Sequence, residues 1–127
     1  VVNGFGDMMR VGALAKQTGM TRDTIRFYER RGLISSRPSE GSSNSYRDYP
    51  EDTVERLEMI AQARAAGMSI AELEVLVQVM ETGDLEAFDA DSFLAEKIGE
   101  IEASIARSRR FAALLKATRT ALARAVR

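Results

Sequence analysis

Residues 11–34 read VGALAKQTGMTRDTIRFYERRGLI, and the order of small, capping and basic residues in this stretch decides the fold. Val11, Leu14 and Ala15 give a short helix stripe, and Gly19, with no Cβ, suits the tight turn that ends it. Thr21 offers the side-chain oxygen of an N-cap, with Met20 and Ile25 placed around it as a hydrophobic staple. A second helix is expected from Arg22 to Arg31, stopped by Gly32, with Ile25 and Tyr28 on one stripe and Phe27 beside it. Arg22, Arg26 and Arg30 recur every four residues and so form one basic ridge. Two short helices joined through Gly19, Met20 and Thr21 make a helix-turn-helix, whose second helix is the element that enters a major groove.

Downstream, residues 35–45 are rich in serine and contain Pro38, Gly41 and Asn44, a composition that holds helix poorly. Residues 34–37 and 45–47 are expected to pair as a small hairpin around 38–44. Arg37, Tyr46, Arg47 and Tyr49 make it basic and aromatic, the character of a wing that adds backbone and minor-groove contacts.

Asp48 and Glu51 around Pro50 form a capping-box pair at the start of a third helix. Its stripe is Val54, Leu57, Ile60, Ala61 and Ala65, and Gly67 ends it. Ser69 and Glu72 cap a fourth helix with Ile70, Leu73, Leu76, Val77 and Met80 inward and Glu74 and Glu81 outward. An acidic linker over residues 81–91 follows; Asp84, Glu86, Asp89 and Asp91 offer oxygens to a cation, against the plainer reading of a solvated linker. From Ser92 a single helix is expected, with a 4–3 repeat through Leu94, Ile98, Ile101, Ile105, Ser108, Ala112, Leu115, Arg119, Leu122 and Val126. Eight of these ten are apolar, which is a coiled-coil seam about 50 Å long with no globular body left to cover it, so a second copy is the simplest partner, against the alternative that the helix folds back on the N-terminal helices. Residues 1–9 carry no periodicity and are expected as a disordered or added lead-in, with Met8 or Met9 as the natural start.

Composition narrows the chemistry. The 127 residues contain no Cys and no His, which excludes disulfides, thiolate metal sites, cysteine nucleophiles and the usual general base. No metal and no cofactor is expected, and neither a catalytic triad nor a glycine-rich phosphate loop is present. No apolar run reaches about 18 residues and no secretory signal opens the chain, so no membrane association is expected and the expected compartment is the cytoplasm. The net charge of −1 hides segregation: residues 10–47 carry eight basic and three acidic groups (+5), 48–102 three and fifteen (−12), and 103–127 seven basic and none acidic (+7). A basic first third on a neutral chain suits a local polyanion-binding face.

These residues together resemble the MerR-type bacterial transcriptional regulators. The match runs through Val11 to Thr21, Thr24 to Ile34, Tyr46-Arg47-Asp48-Tyr49, then Val54, Leu57, Ile60 and Ala61 to Arg64, and closes on Ala66 to Leu73. It covers residues 10–80; the terminal helix matches by position alone. The resemblance implies a mainly α fold, a winged helix-turn-helix followed by a helical pair and a long coiled-coil dimerisation helix. The segments would be a DNA-binding domain at 10–80, an acidic linker at 81–91 and a dimerisation helix at 92–127. It further implies a homodimer with antiparallel long helices, bound to an inverted-repeat operator in double-stranded promoter DNA. Members bend and untwist an overlong promoter spacer so that RNA polymerase engages, and many repress without their effector.

By the same resemblance Arg22 and Asp23 approach base edges, Arg26 matches a phosphate-contacting arginine, Tyr28 matches the helix tyrosine and has two readings, phosphate contact or core packing, as has Tyr49, and Tyr46 and Arg47 match the tyrosine–arginine pair of the wing, with Lys16 and Arg37 as further backbone contacts. Arg30 and Arg31 have two readings, DNA or an ion pair with the acidic block. Leu94, Ile98, Ile101, Ile105, Ala112, Leu115 and Leu122 would form the dimer seam. Where metal-sensing relatives carry cysteines, this chain reads Asp89-Ala90-Asp91-Ser92 and Ala121 to Arg127. The effector is therefore not a thiolate-bound metal or an iron–sulfur cluster; a small apolar ligand, a partner, or the protein's own abundance are left open. No separate C-terminal drug-binding domain is expected, and the wing tip, Ser39 to Asn44, is longer than in compact relatives. Two other functions compete: a coiled-coil adaptor that binds protein, and an architectural or excision-type DNA-bending factor.

Overall fold

The computed structural model describes residues 8–39 and 46–126, the side chain of Phe88 apart. The expectations for the lead-in before Met8 and for the wing tip beyond Ser39 fall outside the described residues. The chain divides into two compact units, one ending at Glu81 and one beginning at Thr82.

The first unit opens with α1 (Val11–Thr18) and α2 (Arg22–Arg30). Gly19 closes α1 at φ 77°, in the left-handed region, and its N–H reaches the Ala15 carbonyl. Nothing lies within 4 Å of the Cβ it lacks, so backbone conformation alone selects glycine there. Thr21 caps α2 by accepting from the Thr24 N–H at 3.1 Å. The wing follows as β1 (Arg37–Pro38) and β2 (Arg47–Asp48), antiparallel with Arg37 opposite Asp48 and Pro38 opposite Arg47. The strands are therefore shorter than expected and begin later, because Leu33 and Ile34 are spent on the core rather than on a ladder. Met9 exchanges two 2.7 Å backbone hydrogen bonds with Tyr49, so Met9 is tied to the end of the wing.

The two remaining helices of this unit are α3 (Thr53–Ala65) and α4 (Ile70–Thr82). α3 starts later than the Asp48–Glu51 box implied; Asp52 precedes it and makes no side-chain cap, since Asp48 is held in the wing. Its buried stripe is Thr53, Val54, Leu57, Ile60 and Ala63, whereas Ala61 and Ala65 are exposed. The box at Ser69 and Glu72 forms reciprocally, at 3.1 and 2.9 Å. Glu74 and Glu81 do not simply face water: Glu74 pairs with Arg31 at 2.6 Å and Glu81 with Arg56 at 3.8 Å. Met80 lies outside the buried face, which Leu73, Val77 and Val79 supply.

α1 packs against both α2 and α3. The core is Leu14, Ile25, Leu33, Leu57, Ile60 and Leu73, all essentially inaccessible. Each such side chain contributes about 1.5–3 kcal/mol through removal from water. This core fixes the turn between α1 and α2 and leaves one face of α2 outward.

The second unit holds a short 3-10 turn (Ala87–Asp89) and α5 (Ala90–Ala125), a single helix of 36 residues. Gly99 does not interrupt it. Beyond Ile101 every described residue of this unit is exposed, including Ile105, Leu115 and Leu122. No helix among the described residues is long and apolar enough to cross a membrane, and none of their acidic groups cluster as a cation site.

Candidate nucleic-acid interface

α2 presents Arg22, Asp23, Arg26 and Arg30 to solvent on the face opposite Ile25 and Tyr28. The helix-turn-helix exposes Lys16 on α1 close to the turn. Arg22 folds back along α1: its Nη2 lies 3.0 Å from where a Cβ on Gly12 would stand. The missing side chain at Gly12 thus gives the Arg22 guanidinium room against the first helix.

Between α2 and the wing lies a cleft of about 460 Å³ lined by Arg10, Arg26, Glu29, Arg30, Arg47 and Tyr49, with Val11 and Tyr46 at its side. Four guanidinium groups and one carboxylate in one concavity make a cationic surface with an internal brace. Glu29 is the brace. Its Oε1 accepts from the Tyr49 hydroxyl at 2.5 Å, and its Oε2 accepts a short hydrogen bond from the Ser36 hydroxyl. Arg47 donates through Nε to Ser36 Oγ at 2.6 Å and through Nη2 to the Ser36 carbonyl at 3.1 Å, with Glu29 Oε2 at 3.6 Å. The wing arginine is held on two sides yet stays half exposed, so its remaining donors point outward.

Tyr49 is 2% exposed, and burial together with the Glu29 carboxylate pushes its hydroxyl up to about 12 from the ordinary 10.0. It is therefore a neutral donor that links wing to helix. On the other side of the cleft the Arg10 guanidinium lies 4.4 Å from the Tyr46 ring centre and 3.8 Å from Asp48.

The structure brings Arg26, Tyr46 and Arg47 together around one cleft and leaves Lys16, Arg22 and Asp23 exposed beside the turn. Arg37 is exposed on β1. Tyr28 is 9% exposed and tilted on Phe27, with ring centres 5.8 Å apart, so its ring belongs to the packing of α2. Of the two readings for Arg31, the ion pair with the acidic block is the one formed, through Glu74.

Sequence reasoning missed Arg10, Glu29, Ser36 and the bracing part of Tyr49. Two of the four carried a signal. A basic residue at the start of α1 opposes the helix dipole, so Arg10 has another task. Glu29 is an acid set between Arg26 and Arg30 on the ridge, and such an acid is kept there by a partner.

The family model for MerR HTH family regulatory proteins matches residues 9–79, and that for the MerR DNA-binding segment matches 54–122. A transcriptional regulator of Haemophilus influenzae named as a ZntR homolog is 34% identical over 97 residues, which span 76% of this chain and 70% of that protein. The solved structure of PbrR691 from Ralstonia metallidurans CH34, in complex with lead(II), superposes with a TM-score of 0.60 at 28% identity, over 88% of this chain and 85% of that one. HiNmlR, a MerR family regulator lacking the sensor domain and bound to promoter DNA, superposes with a TM-score of 0.70 at 20% identity, over 88% and 87%, a likeness of fold. The braced cationic cleft, the helix-turn-helix with its wing and these matches together place the chain in the MerR family, as a DNA-binding transcriptional regulator and not an enzyme.

Proposed function

We propose that the chain acts as a homodimer on an inverted-repeat operator in double-stranded promoter DNA, and that it bends and untwists that DNA so that RNA polymerase engages. α2 enters the major groove, with Arg22 and Asp23 nearest the base edges and Lys16 on the adjoining backbone. Arg26, Arg47 and Arg37 take phosphates, and Tyr46 takes the sugar–phosphate edge beside the wing. Tyr28 supports the helix from within. Residues 10–80 serve as the DNA-binding part, 81–91 as a linker and 92–127 as the dimerisation helix, in the cytoplasm on the nucleoid.

The observation that supports this most is the clamp of Ser36 and Glu29 on Arg47, which fixes a wing cation beside the Arg26 and Arg30 ridge. Such preset donors fit phosphate geometry at little ordering cost. The lead(II) bound by PbrR691 is not carried over to this chain: it has no cysteine to offer a soft metal, so an effector would be a non-thiol one.

The test is selection of genomic fragments by the purified protein, followed by transcription from a selected promoter. The expected result is a palindromic site in a promoter spacer and altered transcript level. Recovery of fragments with no shared sequence would contradict the reading. Bending of a shared site without any change in transcript would favour an architectural factor, and capture of protein but no DNA an adaptor.

A further inference from the structure

α5 carries its charge in two halves. Residues 90–102 hold Asp91, Glu96, Glu100 and Glu102 with a single cation, Lys97, whereas residues 103–126 hold six cations and no acid. Ile98, Ile105, Leu115 and Leu122 on the same helix are each 45–63% exposed. A helix that presents both an uncovered seam and opposed charges at its ends is self-complementary when reversed, and self-repelling in parallel.

Seam spacing narrows the reversed pairing further. In antiparallel coiled coils the two kinds of seam position face each other, so registers are allowed only at steps of seven residues. One of them uses all ten seam residues, the one in which each residue meets its mirror image about Arg110. It sets Leu94 against the partner's Val126, Ile98 against the partner's Leu122, Ile101 against the partner's Arg119, and Ile105 against the partner's Leu115. Ser108 then meets the partner's Ala112, so the smallest pair stands at the two-fold axis where backbones approach most closely. A slip of seven residues in either direction leaves seam residues without a counterpart.

The flanking positions agree. In this register Glu102 stands beside the partner's Lys116, twice per dimer, and Phe111 meets the partner's Phe111 across the axis. Arg119 reaches the partner's Glu102 from within the seam. One contact opposes it: Arg109 faces the partner's Arg109, on a rim where both side chains can turn into water.

We propose that two copies of α5 pair in this register, selected by Ser108 against the partner's Ala112 and by Glu102 against the partner's Lys116. The proposal rests on the homodimer reading and specifies what that reading leaves open.

The chain's lack of cysteine allows single spin labels without background. Labels would be placed through Ala95→Cys, Ala103→Cys and Ala117→Cys, all exposed positions, and distances read by double electron–electron resonance. The register sets the two Ala95 sites about 45 Å apart along the axis, and gives the Ala103 and Ala117 pairs the same offset of about 21 Å. A seven-residue slip makes those two unequal, at about 10 and about 31 Å, and overturns the register while dimerisation stands. A parallel pair brings the Ala95 labels within about 20 Å and overturns it as well. A second arm swaps charge: Glu102→Lys weakens dimerisation roughly tenfold and the double change Glu102→Lys with Lys116→Glu restores it. Failure of that rescue overturns the pairing of the two residues. A monomer in sedimentation at high protein concentration overturns the homodimer reading together with the register.

Discussion

Glu29 Oε2 lies 3.6 Å from Arg47 Nε, joining the C-terminal end of α2 to the wing through a carboxylate that also holds Ser36 and Tyr49. If the arginine-lined cleft takes DNA as proposed, an acid within it opposes binding by its charge alone. The two effects have opposite signs, which makes the residue decisive. Glu29→Ala removes a negative charge, yet it leaves the buried Tyr49 hydroxyl without its acceptor and frees Arg47. The expected outcome is a stability loss of about 1–3 kcal/mol in denaturant unfolding and weaker operator binding, not stronger. Tighter binding would show that Glu29 acts only as a charge.

Tyr49 gives the fold a pH dependence at the alkaline end. Its folded value, about 12, is raised above the ordinary 10.0. The folded protein therefore holds this proton more tightly than the unfolded chain. The contribution is complete below pH about 10 and is lost as pH rises through about 12. Thermal unfolding followed from pH 9 to pH 12 should show a steeper alkaline decline in the unaltered protein than in Tyr49→Phe. Equal slopes would place the hydroxyl outside the folding linkage.

Much of this was legible in the sequence because it is local. Gly19 at φ 77°, Thr21 as the cap of α2, and the Ser69–Glu72 box each involve residues within four of one another, and each formed as read. The long helix was legible too, from unbroken 4–3 spacing, and it runs from Ala90 to Ala125. What stayed hidden is long-range. Glu29 to Tyr49 spans 20 positions and Arg31 to Glu74 spans 43, and no spacing rule connects them. The sequence points to an earlier α3 start than Thr53 because Asp48 is both a good cap and a wing residue, and the wing takes it. Ala61 was assigned to the buried stripe where Ala63 is buried instead, since alanine lies equally well on either face of a helix.

The turn between α1 and α2 should be sensitive at two neighbouring positions for different reasons. Thr21→Ala removes the acceptor for the Thr24 N–H and should cost about 1 kcal/mol. Gly19→Ala forces a Cβ into the left-handed region with space around it, so its cost of about 1–2 kcal/mol is conformational rather than steric. Denaturant midpoints check both. Gly19→Asn should recover part of the loss, because asparagine tolerates that conformation.

Whether the preset arginines of α2 and the wing hold DNA is measurable by a fluorescence titration of a genome-selected operator and a scrambled duplex at several salt concentrations, with the unaltered protein, Arg26→Ala, and Arg26→Ala combined with Arg47→Ala. Expected are tighter binding to the operator, a salt slope about one unit shallower for the single change, and loss of measurable binding for the double change while the fold stays intact by circular dichroism. Equal affinity for both duplexes, or a double variant that binds as the unaltered protein does, would contradict it.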